Sequence, residues 1–77
     1  AKGECHFFNG TQRIRFLQRE FFDRQELMYF DSDRGKFVAV AELGELDVKR
    51  LNQDKDLLRS MNARVDVCRH NYEIHAP

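Results

Sequence analysis

Apolar and polar positions alternate with a period of two over residues 12–22, as they do in half-buried β-strands, and three shorter runs lie on either side of it. The pattern predicts strands over residues 5–8, 12–22, 27–31 and 36–41. Residues typical of tight turns separate them: Asn9-Gly10, the polar run 23–26, and the run 32–35 that ends in Gly35. Tight turns join neighbouring strands that run in opposite directions, so we expect a four-stranded antiparallel sheet.

The second predicted strand has one face that changes character along its length. Ile14 and Phe16 fall on one side and arginines on the other. Gln18 and Glu20 continue the Ile14 side, which therefore turns from apolar to polar along the strand.

After residues 43–46 the apolar spacing becomes helical. One stripe recurs at heptad spacing with two further members between its repeats: Leu51, Leu58, Met61, Val65, Cys68 and Tyr72. Asp47 is expected to cap the N-terminus, and the poor helix formers at 52–54 to interrupt the helix. The helix should end near Tyr72, and residues 75–77 are predicted to begin a linker because Pro77 closes the helical option.

A four-stranded sheet followed by one long helix leaves surface uncovered. One helix cannot cover both faces of a sheet, nor the whole of one. Part of the helix-side face must stay open, be covered by another chain, or hold a ligand. Cys5 in the first strand and Cys68 on the helical stripe favour a disulfide that pins helix to sheet. Closing so much of the chain contributes roughly 4 kcal/mol in the loop-entropy description.

Length and charge exclude some classes of function. A chain of 77 residues makes one domain, residues 1–77, with a small core. Thirteen basic and thirteen acidic residues cancel, so no global field recruits nucleic acid or an acidic membrane. No apolar run approaches the roughly 18 residues of a membrane-spanning helix. With Ala1 first and no signal peptide, the sequence is interpreted as an excised segment.

Two features point to the secretory route. Two cysteines in a short chain favour a disulfide and an oxidising compartment. Asn9-Gly10-Thr11 is an N-glycosylation sequon, which predicts a sugar on Asn9.

Three other interpretations of the cysteines and histidines stay open. A metal site could use Cys5, His6, Cys68 and His70, although neighbouring residues of a strand point opposite ways. A thiol enzyme could use Cys68 with His70, whose side chains diverge by about 200° on a helix. A small secreted binding domain held together by one disulfide would need neither a metal ion nor a free thiol.

Five runs resemble one known family, in order and with nearly its spacing. They are CHFFNGT (residues 5–11), FDSD with the following Gly35 (30–35), ELG (42–44), KDLL (55–58) and CRHNY (68–72). Together they resemble the first, peptide-binding domain of the major histocompatibility complex (MHC) class II β chain.

The resemblance implies an α+β fold in which the sheet floors a groove and one long, interrupted helix forms a wall. A class II α chain would supply the other wall, and the groove would hold an antigenic peptide of extracellular or endosomal origin. T-cell receptor and CD4 would bind the full complex. The family has no catalytic activity and no cofactor, metal or nucleic-acid partner.

The same resemblance implies a larger protein and its location. An immunoglobulin-like domain, a membrane helix and a short tail would follow this segment. The protein would pass through the endoplasmic reticulum to the cell surface and to endosomal and lysosomal membranes, with this segment lumenal or extracellular.

Site residues carry over position by position. His70 and Asn71 match the positions that bind the peptide backbone, and an Asn amide both donates and accepts. Asp47 matches a position that pairs with an α-chain arginine. The remaining matches line peptide pockets: Phe16, Gln18, Glu20, Leu27, Met28, Phe37, Arg50, Leu51, Leu57, Ser60, Met61 and Arg64.

Each of these binding roles has a purely structural alternative. His70 and Asn71 could be ordinary polar residues of an exposed helix, and Phe16, Phe37 and Met61 could be core. Glu20 and Arg64 would oppose their charges across the groove if both faced inward.

The chain departs from the family's pattern at three places. Leu51 stands where the family usually has Trp, so one N–H donor to the peptide is lost. The chain is one residue shorter between Asp66 and Cys68, which would rotate the later part of the helix by about 100°. Glu73 replaces a common Gly. These departures allow a nonclassical member that binds peptide weakly or not at all.

Overall fold

The computed structural model describes residues 1–75, which form a sheet followed by helical segments. The strands are β1 (Lys2–Phe8), β2 (Arg13–Phe22), β3 (Gln25–Asp31) and β4 (Lys36–Ala39). They lie in the order β1-β2-β3-β4, and every neighbouring pair is antiparallel. A 3-10 turn (Glu42–Gly44) leads to α1 (Glu45–Leu51), α2 (Lys55–Asn62) and α3 (Arg64–His75). The predicted α+β class, four-stranded sheet and interrupted helix are confirmed.

Several predicted boundaries move. The polar connection predicted over residues 23–26 contains only Asp23 and Arg24, whose φ angles of 54° and 68° give the left-handed pair of a two-residue hairpin. The predicted start of a linker at His75 is wrong, because α3 continues through it. Ala76 and Pro77 lie outside the described residues.

The predicted N-cap is also wrong. Gly44 precedes α1, and Asp47 lies within its first turn. The interruption at residues 52–54 is confirmed, and Asp54 there caps α2 by accepting a hydrogen bond from the backbone N–H of Leu57 at 3.1 Å.

The core lies between the helices and one face of the sheet. Its buried residues are Ile14, Phe16, Phe30, Phe37, Met61 and Cys68. Phe30 is completely buried, and the ring of Phe37 meets it edge-on with centroids 5.2 Å apart. The heptad stripe thus packs on the sheet as predicted, although three helical segments share it.

Two contacts fix the ends of the helical region. The predicted disulfide joins Cys5 to Cys68 with a Cα–Cα distance of 5.8 Å, and Tyr72 stacks on Phe7 nearby. At the other end, Asn52 accepts from the Phe37 N–H at 2.8 Å and donates to the Phe37 carbonyl at 3.0 Å. The break between α1 and α2 is therefore tied to the edge strand β4.

The opposite face of the sheet, here called the underside, is a network of ion pairs. Arg15 donates two hydrogen bonds to Asp31, at 3.0 and 2.7 Å, although Asp31 is fully buried. Arg19 bridges Glu4 at 2.8 Å and Glu26 at 3.0 Å. The Arg15 guanidinium holds the pKa of Asp31 below its ordinary value, and the Arg19 guanidinium, with His6, lowers the pKa of Glu4 to about 2.

Among residues 1–75, no helix is both long enough and apolar enough to pass through a lipid bilayer.

Gly44 allows the chain to return over β3. The Leu27 carbonyl accepts hydrogen bonds from the N–H groups of Val40 and Ala41, at 2.8 and 3.1 Å. A Cβ on Gly44 would stand 2.6 Å from that same oxygen, which is closer than real Cβ contacts. Leu27 is itself skipped in the β2–β3 pairing, which passes from Met28 to Glu26 in a β-bulge.

We expect Gly44→Ala to lower the free energy of unfolding by about 1–3 kcal/mol, the usual cost of forcing extra volume into a close contact. Gly3→Ala is the matched control, since its Cβ would lie 3.7 Å from the nearest carbon of Phe16. Chemical denaturation of the folded protein measures both. Equal stability of the two variants would contradict the close approach at Leu27.

We expect the Glu4 carboxyl to titrate near pH 2 in the folded protein. Because its pKa is lowered on folding, its stabilisation is complete above the ordinary carboxyl pKa of about 4 and is lost as the pH falls towards the folded value. Glu4 and Asp31, whose pKa values are both lowered, therefore stay charged at about pH 5.

An NMR titration of the side-chain carboxyl carbon of Glu4 tests this, with Arg19→Gln as the comparison. The pKa of Glu4 should rise towards its ordinary value in Arg19→Gln. An unchanged pKa would mean that Arg19 is not its cause.

Candidate functional site

The helix-side face of the sheet divides into two halves. The half towards the β1–β2 and β3–β4 turns lies beneath the helices and holds the aromatic core. The other half, here called the open half, extends towards the β2–β3 turn. Its members are the exposed Gly3 and the half-buried Gln18, Glu20, Met28 and Ala39.

Strand register places these residues together. Gln18 and Glu20 alternate along β2 on the side of Ile14 and Phe16, as the sequence predicted. Glu20 pairs with Met28, and Met28 with Ala39 on the next strand. The Gln18 side-chain amide donates to the Glu20 carboxylate at 2.9 Å. The open half therefore combines two polar residues, Gln18 and Glu20, with the apolar Met28 and Ala39, and it adjoins the half that holds the core.

The disulfide fixes which flank of α3 overlooks this floor. Cys68 is buried against the sheet, and each residue turns the helix by about 100°. Asn62, at the end of α2, has its amide nitrogen 3.9 Å from the Cβ position of Gly35 in the β3–β4 turn, away from the open half. On α3, helical geometry places Arg64, Val67 and Asn71 within about 100° of Cys68 on one side, and we infer that this flank faces the open half.

The expected shortening by one residue before Cys68 falls within α3, which runs unbroken from Arg64 to His75. The helix is interrupted at Ala63, so α2 and α3 need not share one rotation. Downstream, the anchored Cys68 places Asn71 about 60° from the sheet-facing line on the open-half side and His70 nearer the top. Both side chains are exposed, as backbone-binding groups would have to be. Their binding role stays a prediction.

The pocket residues implied by the resemblance separate by burial. Phe16, Phe37 and Met61 are core, with at most 6% of each residue exposed, so little of them can reach a ligand. Leu51 and Leu57 are half-buried and pack against that core. Ser60 and Arg64 are exposed on α2 and α3.

The charged site residues form fewer contacts with one another than the sequence implied. Asp47 and Arg50 bind each other at 2.9 Å along α1. No ion pair joins Glu20 to Arg64 within the described part of the chain. An opposed pair of charges across the groove is therefore not a contact of this structure.

Three neighbours of the predicted site were missed by sequence reasoning. Ala39 shares the face of Phe37 two residues earlier, a signal that alternation alone provides. Val67 and Ile74 are 57% and 60% exposed on the open-half flank, one heptad apart. That spacing is the signal that could have found them, since it marks a second apolar line beside the core stripe.

Both cysteine sulfurs are bonded to each other, so neither provides the thiolate that a nucleophile or a zinc site requires. Between Ala1 and His75, no three His, Cys, Asp or Glu side chains are grouped to hold a metal ion. The thiol-enzyme interpretation and the metal site that uses both cysteines are therefore wrong.

A separate depression lies between the β2–β3 turn and the 3-10 turn. Its lining residues are Arg24, Gln25, Glu26, Val40, Ala41, Glu42, Leu43 and Glu45. None of them belongs to the open half or to the flank of α3 above it. The helices thus cover one half of this face of the sheet and leave the other half open.

Known proteins match almost the entire chain. The family model described as class II histocompatibility antigen, beta domain, matches residues 1–76. The chain is 54% identical to a human HLA class II histocompatibility antigen, DRB1 beta chain, over 95% of its own length. It is 51% identical to the rat class II histocompatibility antigen D-1 beta chain, over 96% of its length, and also 51% identical to the chicken class II histocompatibility antigen B-L beta chain, over all of it.

The chain spans 28% of the length of the human and rat relatives and 34% of the chicken one. The identities and the family model, together with the four-stranded sheet and helical wall, show that this chain belongs to the class II histocompatibility antigen β-domain family.

Proposed function

We propose that this domain forms one wall and half the floor of a peptide-binding groove that presents peptides of extracellular or endosomal origin to CD4 T cells. The observation that carries the proposal is the open half of the sheet. A polar floor beneath an exposed helical flank fits an extended peptide, whose backbone N–H and C=O groups need partners. The function is binding rather than catalysis.

A class II α chain supplies the second wall and the rest of the floor in this proposal. The sheet ends in two edge strands, β1 and β4. On β4, the backbone N–H and C=O of Phe37 are already hydrogen-bonded to the Asn52 side chain. The α1 helix also packs against this strand. The β1 edge is the place where another chain can continue the sheet by strand pairing.

His70 and Asn71 are proposed to hold the peptide backbone. Asn52 demonstrates the chemistry within this same fold, because its amide both accepts from and donates to one residue of an extended strand. Asn71 is exposed on the flank above the open half and offers the same two groups to a peptide.

The remaining features concern the whole protein. T-cell receptor and CD4 are proposed to bind the assembled complex, which travels through the endoplasmic reticulum to the cell surface and to endosomal and lysosomal membranes. Asn9 is proposed to carry a sugar. It lies exposed in the β1–β2 turn with a φ of 53°, where a glycan would project into solvent.

A nonclassical member with weak or no peptide binding is the second candidate, favoured by Leu51. Leu51 is half-buried against the core and, as leucine, donates no side-chain hydrogen bond. One such bond contributes roughly 0.5–1.5 kcal/mol net, so its loss weakens peptide binding without abolishing the groove.

Co-expression with a class II α chain tests the proposal. We expect a stable heterodimer from which a mixture of peptides can be eluted and sequenced. A stable heterodimer that yields no peptides would favour the nonclassical candidate. Tight, saturable peptide binding by the 77-residue chain alone would contradict a groove that needs two chains.

We expect Asn71→Ala to speed peptide dissociation from the heterodimer by about tenfold, or ~1.4 kcal/mol, because it leaves peptide groups without partners. Asn62→Ala is the matched control, since it removes the same amide from the end of α2, near the β3–β4 turn and away from the open half. Competition between a labelled and an unlabelled peptide gives both rates. Equal rates of peptide dissociation for the two variants would mean that Asn71 is an ordinary exposed helix residue.

A further inference from the structure

Glu20 differs from the other acids of the strands in its partners. Glu4, Glu26 and Asp31 each bind an arginine on the underside. Glu20 faces the helix side, and within residues 1–75 no cationic side chain lies within ion-pair distance of it. Its hydrogen-bonding side-chain neighbour is the uncharged amide of Gln18, at 2.9 Å.

The position of Glu20 makes this difference consequential. It is half-buried near the centre of the open half, with Met28 beside it on β3. The Gln18 amide occupies part of its hydrogen-bonding capacity and restrains its orientation. Water can hydrate the remaining lone pairs of the Glu20 carboxylate only while no ligand covers the open half.

A ligand that covers Glu20 displaces the water that hydrates its carboxylate. A charge that loses its water costs several kcal/mol unless a partner replaces the lost hydrogen bonds. An apolar or acidic ligand side chain cannot supply them. A lysine or arginine side chain can, with its charge opposite to that of Glu20 and its apolar stem against Met28.

We propose that the groove prefers a lysine or arginine at the peptide position that lies over Glu20. This preference rests on the proposed function, since it presumes that a peptide occupies the open half. Arg64 is the competing cation from this chain, because it lies on the flank above the floor. It is exposed and has no ion pair with Glu20 in this structure, so the carboxylate remains available.

A peptide series bound to the heterodimer with a class II α chain tests the preference. One binding peptide is made with Lys, Gln or Glu at each internal position in turn, and competition measures the affinity of each version. At one position we expect Lys to bind about tenfold more tightly than Gln, and Glu to bind more weakly than Gln. This comparison uses the heterodimer with the natural chain and needs no variant.

Two variants then assign the effect to Glu20. Glu20→Gln should reduce the difference between the Lys and Gln peptides to less than about twofold. Glu26→Gln removes the same charge from the underside and should leave the tenfold difference intact. A preference that survives in Glu20→Gln would overturn the assignment.

The outcomes also separate this inference from the function on which it rests. If the heterodimer binds none of the peptides, both are wrong. If it binds them but Lys, Gln and Glu are equivalent at every position, the groove stands and the inference about Glu20 is wrong. Neutralisation of Glu20 by Arg64 on peptide binding would give this second result.

Discussion

The disulfide between Cys5 and Cys68 is the constraint on which the rest of the structure depends. It closes a loop with a sequence separation of 63 residues, so it removes much of the freedom of the unfolded chain and contributes roughly 4 kcal/mol. That is a large share for a domain whose core is this small. It also sets the rotation of α3, because a helix anchored through one buried side chain can present only one flank to the floor. The bond thus adds a covalent link to the packing of the helices on the sheet.

The two faces of the sheet treat their charges in opposite ways. On the underside, arginines pair with carboxylates so completely that Asp31 is fully buried and the pKa of Glu4 falls to about 2. Glu4 and Asp31 on that face therefore keep their charge to a lower pH than free carboxyl groups do. On the helix side, Gln18 and Glu20 remain half-buried without such pairing. The contrast distinguishes the ion-paired underside from the helix-side face.

The helical region consists of three short helices, and the breaks between them let its path change direction over the sheet. Asn52 bonds its amide to the edge strand at the first break, and the chain resumes with Asp54 as a cap. The second break, at Ala63, separates α2 from α3, so the two helices need not share one rotation. α3 itself runs unbroken from Arg64 to His75, with Cys68 bonded to the sheet.

The sequence by itself determined the four strands, the helical stripe, the disulfide partners and the face shared by Gln18 and Glu20. These follow from periodicity and cysteine count, which are local or pairwise properties. The capping of α1 depended on Gly44 passing over Leu27, a contact between residues far apart in sequence. Likewise, the burial of Phe16 and Phe37, the separation of Glu20 from Arg64, and the flank that carries Asn71 depend on where the helices cross the sheet. Only the tertiary structure decided them, because a pattern gives the face of a residue but not what covers it.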